Sequence, residues 1–68
     1  MSDNEQTFLK NFTKTINKGL VVARAMLIFI EKQKALSDEA KRMLIDYTQL
    51  IITADEKVLA QIENLLHG

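Results

Sequence analysis

The sequence contains no cysteine, no proline and no tryptophan, and only two of its 68 residues are glycine. Without cysteine the chain can form neither a disulfide framework nor a cysteine-ligated metal site, and this suits a reducing compartment. Because proline is absent and glycine is rare, almost nothing inside the chain forces a helix to break. These absences favour an all-α chain that is held together by side-chain packing alone.

Charge of one sign and catalytic residue pairs are missing as well. Nine basic and nine acidic side chains give a formal net charge of 0, so no bulk charge points to nucleic acid or to an anionic membrane as a partner. The one histidine, His67, stands next to the last residue, and no nucleophile and base are recognisable as a pair. We therefore expect no enzymatic activity, no metal site and no cofactor.

The sequence also has no recognisable targeting or membrane-spanning segment. Residues 1–5 lack the basic and apolar stretches of a signal peptide. A membrane-crossing helix needs about 20 apolar residues, whereas the longest apolar run, residues 20–30, has eleven with Arg24 among them. We expect a complete, cytoplasmic chain without a transmembrane segment.

The apolar run at residues 20–30 is the most informative feature that is present. At helical spacing it covers nearly the whole circumference of a helix, and such a helix must be covered from several directions. A chain of this length buries only about 60% of the surface that its unfolded form exposes. Since neither disulfides nor metals compensate here, oligomerisation is the expected source of additional stability.

Two helix-start signals divide the chain. Ser2, with a glutamate three residues later, has the spacing of a capping box and predicts a first helix at about 3–34. Ser37, followed by two acidic residues, predicts a second helix at 38–67. Two arms of equal length favour an antiparallel helical hairpin, and residues 1–68 are expected to form a single helical domain.

Apolar residues follow steps of three and four in both arms, which is the pattern of a packed seam. The predicted seam of the first arm is Leu9, Phe12, Ile16, Gly19, Ala23, Met26 and Ile30. The predicted seam of the second arm is Ala40, Leu44, Tyr47, Ile51, Ala54, Val58, Ile62 and Leu65. With the turn near residue 36, this register places Arg24 close to Asp46 and Thr48, and Gly19 where a neighbouring backbone comes close.

An alternative architecture is a three-helix bundle. Thr53 and Glu56 have the spacing of another capping box, and the β-branched pair of residues 51 and 52 precedes them. A helix break near Thr53 would then start a third helix. The hairpin is preferred because the predicted seam passes through Thr53 without losing phase.

Large apolar residues outside the predicted seam lead us to expect a homodimer. Two hairpins that cover each other would form a four-helix bundle. Arg24, which is isolated among apolar neighbours, needs an anionic or carbonyl partner and is interpreted either as a structural ion pair or as a contact at a partner surface. The predicted interface residues are Val22, Arg24, Phe29, Ile45 and Ile52.

These observations suggest a small non-enzymatic regulator or adaptor that acts by helix-mediated protein–protein interaction, as a homodimer with a protein client. The alternative is a small dimeric regulator that binds RNA or DNA through lysine-rich helix faces. Its candidate nucleic-acid face is Lys10, Lys14, Lys18, Lys32, Lys34, Lys41 and Arg42.

Overall fold

A computed structural model describes residues 2–68, which form two long antiparallel helices packed side by side. The first helix, α1, spans Asp3–Glu31 and the second, α2, spans Asp38–His67. The described residues include no strand, and the hairpin measures 50 × 15 × 12 Å along its principal axes. The predicted all-α helical hairpin is confirmed.

Both helices begin where the capping serines predict. The Ser2 hydroxyl accepts a hydrogen bond from the backbone N–H of Glu5 at 3.2 Å, and the Ser37 hydroxyl accepts one from Ala40 at 3.1 Å. Each serine thus satisfies an N–H group that the first turn of the helix leaves without a partner. Two acidic residues occupy the first turn of each helix, where their negative charges interact favourably with the positive end of the helix dipole.

Helix α1 ends earlier than the predicted boundary at residue 34. Its last helical residue is Glu31, and two backbone N–H groups cap the end: that of Lys32 donates to the carbonyl oxygen of Ile28, and that of Gln33 donates to the carbonyl oxygen of Ile30. Residues 32–37 then form the connection to α2. A sequence with no glycine or proline near this point offers no signal for the stop, so the predicted helix ran three residues too far.

The three-helix alternative is wrong, because α2 is continuous from Asp38 to His67. The capping-box spacing that starts at Thr53 does not start a helix there. Residues on both sides of Thr53, namely Ile52 and Asp55, lie half-buried against α1 and keep the helix in phase. Packing that continues through this point outweighs a local capping preference that is worth about 1 kcal/mol.

The seam between the helices differs in part from the predicted one. Within the two helices, the residues that are buried or half-buried follow steps of three and four. On α1 they include Leu9, Thr13, Ile16, Leu20, Ala23, Leu27 and Ile30. On α2 they include Leu44, Ile45, Thr48, Ile52, Asp55, Leu59, Ile62 and Leu66. About half of the predicted α1 seam is therefore correct, whereas most of the predicted α2 seam lies one residue away from the observed one.

The seam gives the hairpin a thin core. Only five residues between positions 2 and 68 are classed as buried, and no side chain there is less than 2% exposed. The buried residues are Leu20, Ala23, Ile30, Thr48 and Ile62. The hydroxyl of Thr48 donates to the carbonyl oxygen of Leu44 at 2.8 Å, so the one buried polar side chain has a partner. A two-helix unit with so little enclosed apolar surface is a marginal fold by itself.

Candidate functional site

One side of the seam is polar, and we call it the polar side. A helical repeat of 3.6 residues places these residues beside the seam on α1 and α2. They are Lys10, Asn17, Arg24, Glu31, Arg42, Gln49, Glu56 and Glu63. An ion pair between the helices marks this side, since the guanidinium of Arg24 donates to the carboxylate of Glu56 at 3.3 Å.

The Arg24–Glu56 pair corrects the predicted register, which placed Arg24 near Asp46 and Thr48. Side chains lean toward the N-terminus of their own helix, so in an antiparallel pair two long side chains lean toward each other across a longer sequence span. Each partner is 55% exposed at the side chain, and exposed pairs of this kind stabilise a fold by less than about 1 kcal/mol. Of the two interpretations of Arg24, the structure shows the intramolecular ion pair.

The opposite side of the seam is apolar, and we call it the apolar side. On each helix, the two rows of residues next to the seam on this side contain no charged residue. These rows run from Phe8 to Phe29 on α1 and from Ala40 to Leu65 on α2. Phe8 and Phe12 stack there with ring centroids 5.9 Å apart, although 65% and 43% of these residues remain exposed. The large exposed residues of this side are Phe8, Phe12, Val22, Met26, Phe29, Tyr47, Ile51, Val58 and Leu65. Met43 and Leu50 are also exposed, but they lie on the outer surface of α2, in the row that contains Lys57.

The predicted interface residues fall into three different places. Val22 and Phe29, 58% and 66% exposed, lie on the apolar side as expected for residues outside the seam. Ile45 and Ile52 are half-buried in the seam itself, which contradicts the expectation that α1 leaves them uncovered. Arg24 lies on the polar side. Contact of any of these residues with a second chain stays a prediction.

The sequence pattern missed most of the apolar side because the apolar arc of α2 is wider than one seam. Tyr47, Ile51 and Val58 follow the same three-and-four spacing as the true seam residues and are more apolar than Thr48 and Asp55. Periodicity identifies such an arc but does not say which half of it the neighbouring helix covers. The breadth of the arc was itself a usable signal, because a helix that contacts two neighbours has a wider apolar stripe than one with a single contact.

Gly19 lies on the apolar side, next to the observed seam. A Cβ atom added to Gly19 would meet no atom within 4 Å, so no part of the hairpin approaches it closely. No backbone among residues 2–68 therefore comes close to Gly19, and an approach by the backbone of a second chain stays a prediction. The open space lies on the uncovered side of the hairpin.

The candidate nucleic-acid residues do not form a continuous face. Lys10, Lys14 and Lys18 are exposed and pass from the polar side onto the outer surface of α1. The others gather near the turn, where Lys41 is half-buried with its ammonium 3.4 Å from the carbonyl oxygen of Glu31. The two groups are separated along α1 by 14 residues from Lys18 to Lys32, which is about 21 Å. Exposed Val21 and Ile28 lie in between.

The free end of the hairpin has an open groove on the polar side. Its lining includes Thr13, Asn17, Leu59, Glu63 and His67. Within residues 2–68 no three histidine, cysteine or carboxylate side chains are grouped in a way that would hold a metal ion. In the same part of the chain, neither helix is long and apolar enough to cross a bilayer.

The geometry thus defines a class of molecule, a two-helix hairpin with one apolar and one polar side. Comparisons with family models, with curated proteins and with solved structures each found no match to the chain. The apolar side is therefore the feature of this molecule from which a function can be argued.

Proposed function

We propose that the protein is a small non-enzymatic regulator or adaptor that works through helix-mediated protein–protein contacts, and that its working unit is a homodimer in which two hairpins form a four-helix bundle. The observation that supports this proposal is the uncovered apolar side. Nine of the thirteen large exposed apolar residues lie on it, and the other four, Val21, Ile28, Met43 and Leu50, lie on the outer surfaces of the helices. Surfaces of this kind mark protein contacts, since monomeric proteins rarely expose apolar patches larger than about 300–600 Å².

Thermal unfolding at several protein concentrations tests the homodimer. A chain that is stabilised by self-association gains stability with concentration by mass action, so its midpoint temperature rises as the chain becomes more concentrated. We expect such a rise when unfolding is followed by circular dichroism at 222 nm at chain concentrations between about 5 and 500 μM. Over this roughly 100-fold range, mass action should stabilise the dimer by about 2.7 kcal/mol. A midpoint that does not move over this range contradicts the homodimer.

The regulatory or adaptor role is tested by affinity capture from a native lysate, with the Arg24→Met variant as a comparison. The proposal expects a protein client that is recovered in stoichiometric amounts and identified by mass spectrometry. Loss of the client in the variant would place its contact on the polar side, and its retention would place the contact elsewhere. Recovery of the chain without any client contradicts an adaptor role.

The nucleic-acid alternative depends on the exposed lysines of α1. Its support is that α1 carries Lys10, Lys14 and Lys18 at intervals of four residues and has no acidic residue between Glu5 and Glu31. If these lysines contact phosphates, a gel shift with RNA or duplex DNA weakens steeply with salt, because each neutralised phosphate releases a counterion. Replacing all three by glutamine should abolish that shift, whereas Lys57→Gln on α2 serves as the control.

A further inference from the structure

We infer that the second copy of the chain covers the apolar side, and that the two hairpins dock with their turns at the same end, so that α1 of each copy lies on α2 of the other. This inference rests on the proposed homodimer and specifies its surface and its orientation. It replaces Ile45 and Ile52 of the sequence-based interface by residues of the apolar side. The two other predicted apolar residues, Val22 and Phe29, stay in the interface.

The size of the apolar side matches what a dimer needs. A fully buried aromatic side chain contributes about 150–250 Å², and Phe8, Phe29 and Tyr47 are each about two-thirds exposed. Together with the aliphatic and methionine side chains, the apolar side exposes on the order of 1,000 Å², whereas each partner of a standard interface contributes about 800 Å². The surface is too large for an ordinary monomer and sufficient for one partner of comparable size.

A second copy is the occupant that fits the chemistry of this surface. The two rows beside the seam on this side contain no charged residue from Phe8 to Phe29 on α1 or from Ala40 to Leu65 on α2. An identical surface can therefore be placed on the apolar side without burying an unpaired charge. Two-fold symmetry then covers both copies with one kind of contact. The core of a lone hairpin is thin. Docking of a second copy on the apolar side would enclose a further layer of side chains and so supply the core that a lone hairpin lacks.

The charges of the helices select the orientation. Helix α1 carries three acidic and four basic residues, and helix α2 carries six acidic and three basic residues. Docking with the turns at the same end stacks the more basic helix of one copy on the more acidic helix of the other. Docking with the turns at opposite ends stacks α1 on α1 and α2 on α2. The counts give a net charge of +1 for α1 (four basic minus three acidic residues) and −3 for α2 (three basic minus six acidic residues). Most of these charges lie away from the apolar side, so the preference acts between whole helices. Neighbouring helices are about 8–10 Å apart, which is close to the screening length of salt at physiological ionic strength, and helices of opposite net charge attract each other over that distance.

Side-chain volume points to the same orientation. Because α1 ends at Glu31 and α2 begins at Asp38, the antiparallel arrangement places Gly19 between the levels of Ile51 and Val58 on α2. With the turns together, the open space beside Gly19 faces the part of the partner's α2 that carries these two large side chains. With the turns apart, Gly19 near the middle of α1 faces its own copy across the interface. Two glycines opposite each other leave a void, and voids of this kind are costly in a packed core.

The surface is tested by a matched pair of variants, Val22→Asp and Val21→Asp. The two valines are neighbours in sequence and similarly exposed, at 58% and 66%, but only Val22 lies on the apolar side. Sedimentation velocity should show the dimer dissociation constant rising at least about 30-fold for Val22→Asp, a change that corresponds to an interface hot spot, and less than about 3-fold for Val21→Asp. Equal effects of the two variants would overturn the assignment of the surface while leaving a homodimer in place.

The orientation is tested with a single substitution in the turn and no change in either helix, so that a failure to fold does not obscure the result. Because the sequence has no cysteine, Lys34→Cys in the turn carries one spin label on each copy. With neighbouring helices about 8–10 Å apart, turns at the same end give a label-to-label distance below about 35 Å. A distance that approaches the 50 Å length of the hairpin overturns the orientation. A chain that sediments as a monomer, with no measurable label pair, overturns the inference and the proposed homodimer together.

Discussion

The two sides of the hairpin flank the same seam and have opposite chemistry. On the polar side, Arg24 and Glu56 meet across the helices and both remain accessible to water. On the apolar side, Phe29 and Tyr47 are 66% and 64% exposed, and no contact within the hairpin removes these surfaces from water. The polar side is complete as it stands, whereas the apolar side gains free energy only when another surface covers it.

From this difference we propose that the same three-and-four spacing serves two kinds of contact. The residues of the seam join the two helices of one chain, and the rows beside it on the apolar side are available to a second chain. A hairpin that folded alone would be expected to have polar residues in those rows. The uncovered apolar side is the reason for our proposal that an assembly supplies the missing part of the core.

The largest expected effect comes from a residue of the seam, which lies between the polar side and the apolar side. Leu20 is only 3% exposed at the centre of the seam, and Leu20→Ala removes its contacts and leaves a cavity. We expect the free energy of unfolding to fall by about 3 kcal/mol, as measured by urea denaturation at fixed chain concentration. Lys14→Ala, on the exposed outer surface of α1, is the control and should change it by less than about 0.5 kcal/mol. Similar values for the two variants would mean that the described seam is not the core.

An intermediate effect should separate the two sides on α2. Tyr47 and Gln49 are both exposed and stand two residues apart, but Tyr47 lies on the apolar side and Gln49 on the polar side. Tyr47→Ala should raise the dimer dissociation constant about 10- to 30-fold, which corresponds to about 1.4–2 kcal/mol, because a buried aromatic anchor is lost. Gln49→Ala should leave it unchanged within error. Analytical ultracentrifugation measures both, and a larger effect of Gln49→Ala would reverse the comparison.

The smallest effect is expected on the polar side. Arg24→Met removes the ion pair with Glu56 but keeps an apolar side chain of similar length at this position. The stability should change by less than about 1 kcal/mol, and the oligomeric state should not change, because an exposed ion pair is weak and screened by salt. A double-mutant cycle with Glu56→Gln measures the coupling. A coupling well above 1 kcal/mol would show that the polar side contributes to the core of the fold.

The sequence was sufficient for the class of fold and for the helix starts, because these depend on local chemistry. Ser2 and Ser37 form the predicted caps, and the absence of proline leaves each helix continuous. The end of α1 at Glu31 was not predictable in the same way, since no glycine or proline marks it.

The seam of α2 was harder to predict because it depends on a choice between two adjacent rows. Ile51 and Ile52 are equally apolar, and only the rotation of α2 about its axis decides that Ile52 contacts α1 while Ile51 is 37% exposed. That rotation is a property of the whole packed pair. Of the candidate interface, sequence reasoning found Val22 and Phe29 because they lie in the run that is apolar on nearly every side. It missed Tyr47 and Ile51, whose spacing allowed them to be assigned to the core.

Sedimentation equilibrium of the unmodified chain at tens of micromolar is the decisive test of the proposed homodimer. We expect a helical species whose mass is twice the 7.8 kDa of one chain. A cooperatively folded species of 7.8 kDa that persists at these concentrations would contradict it, because the apolar side would then remain in contact with water in the stable form of the protein.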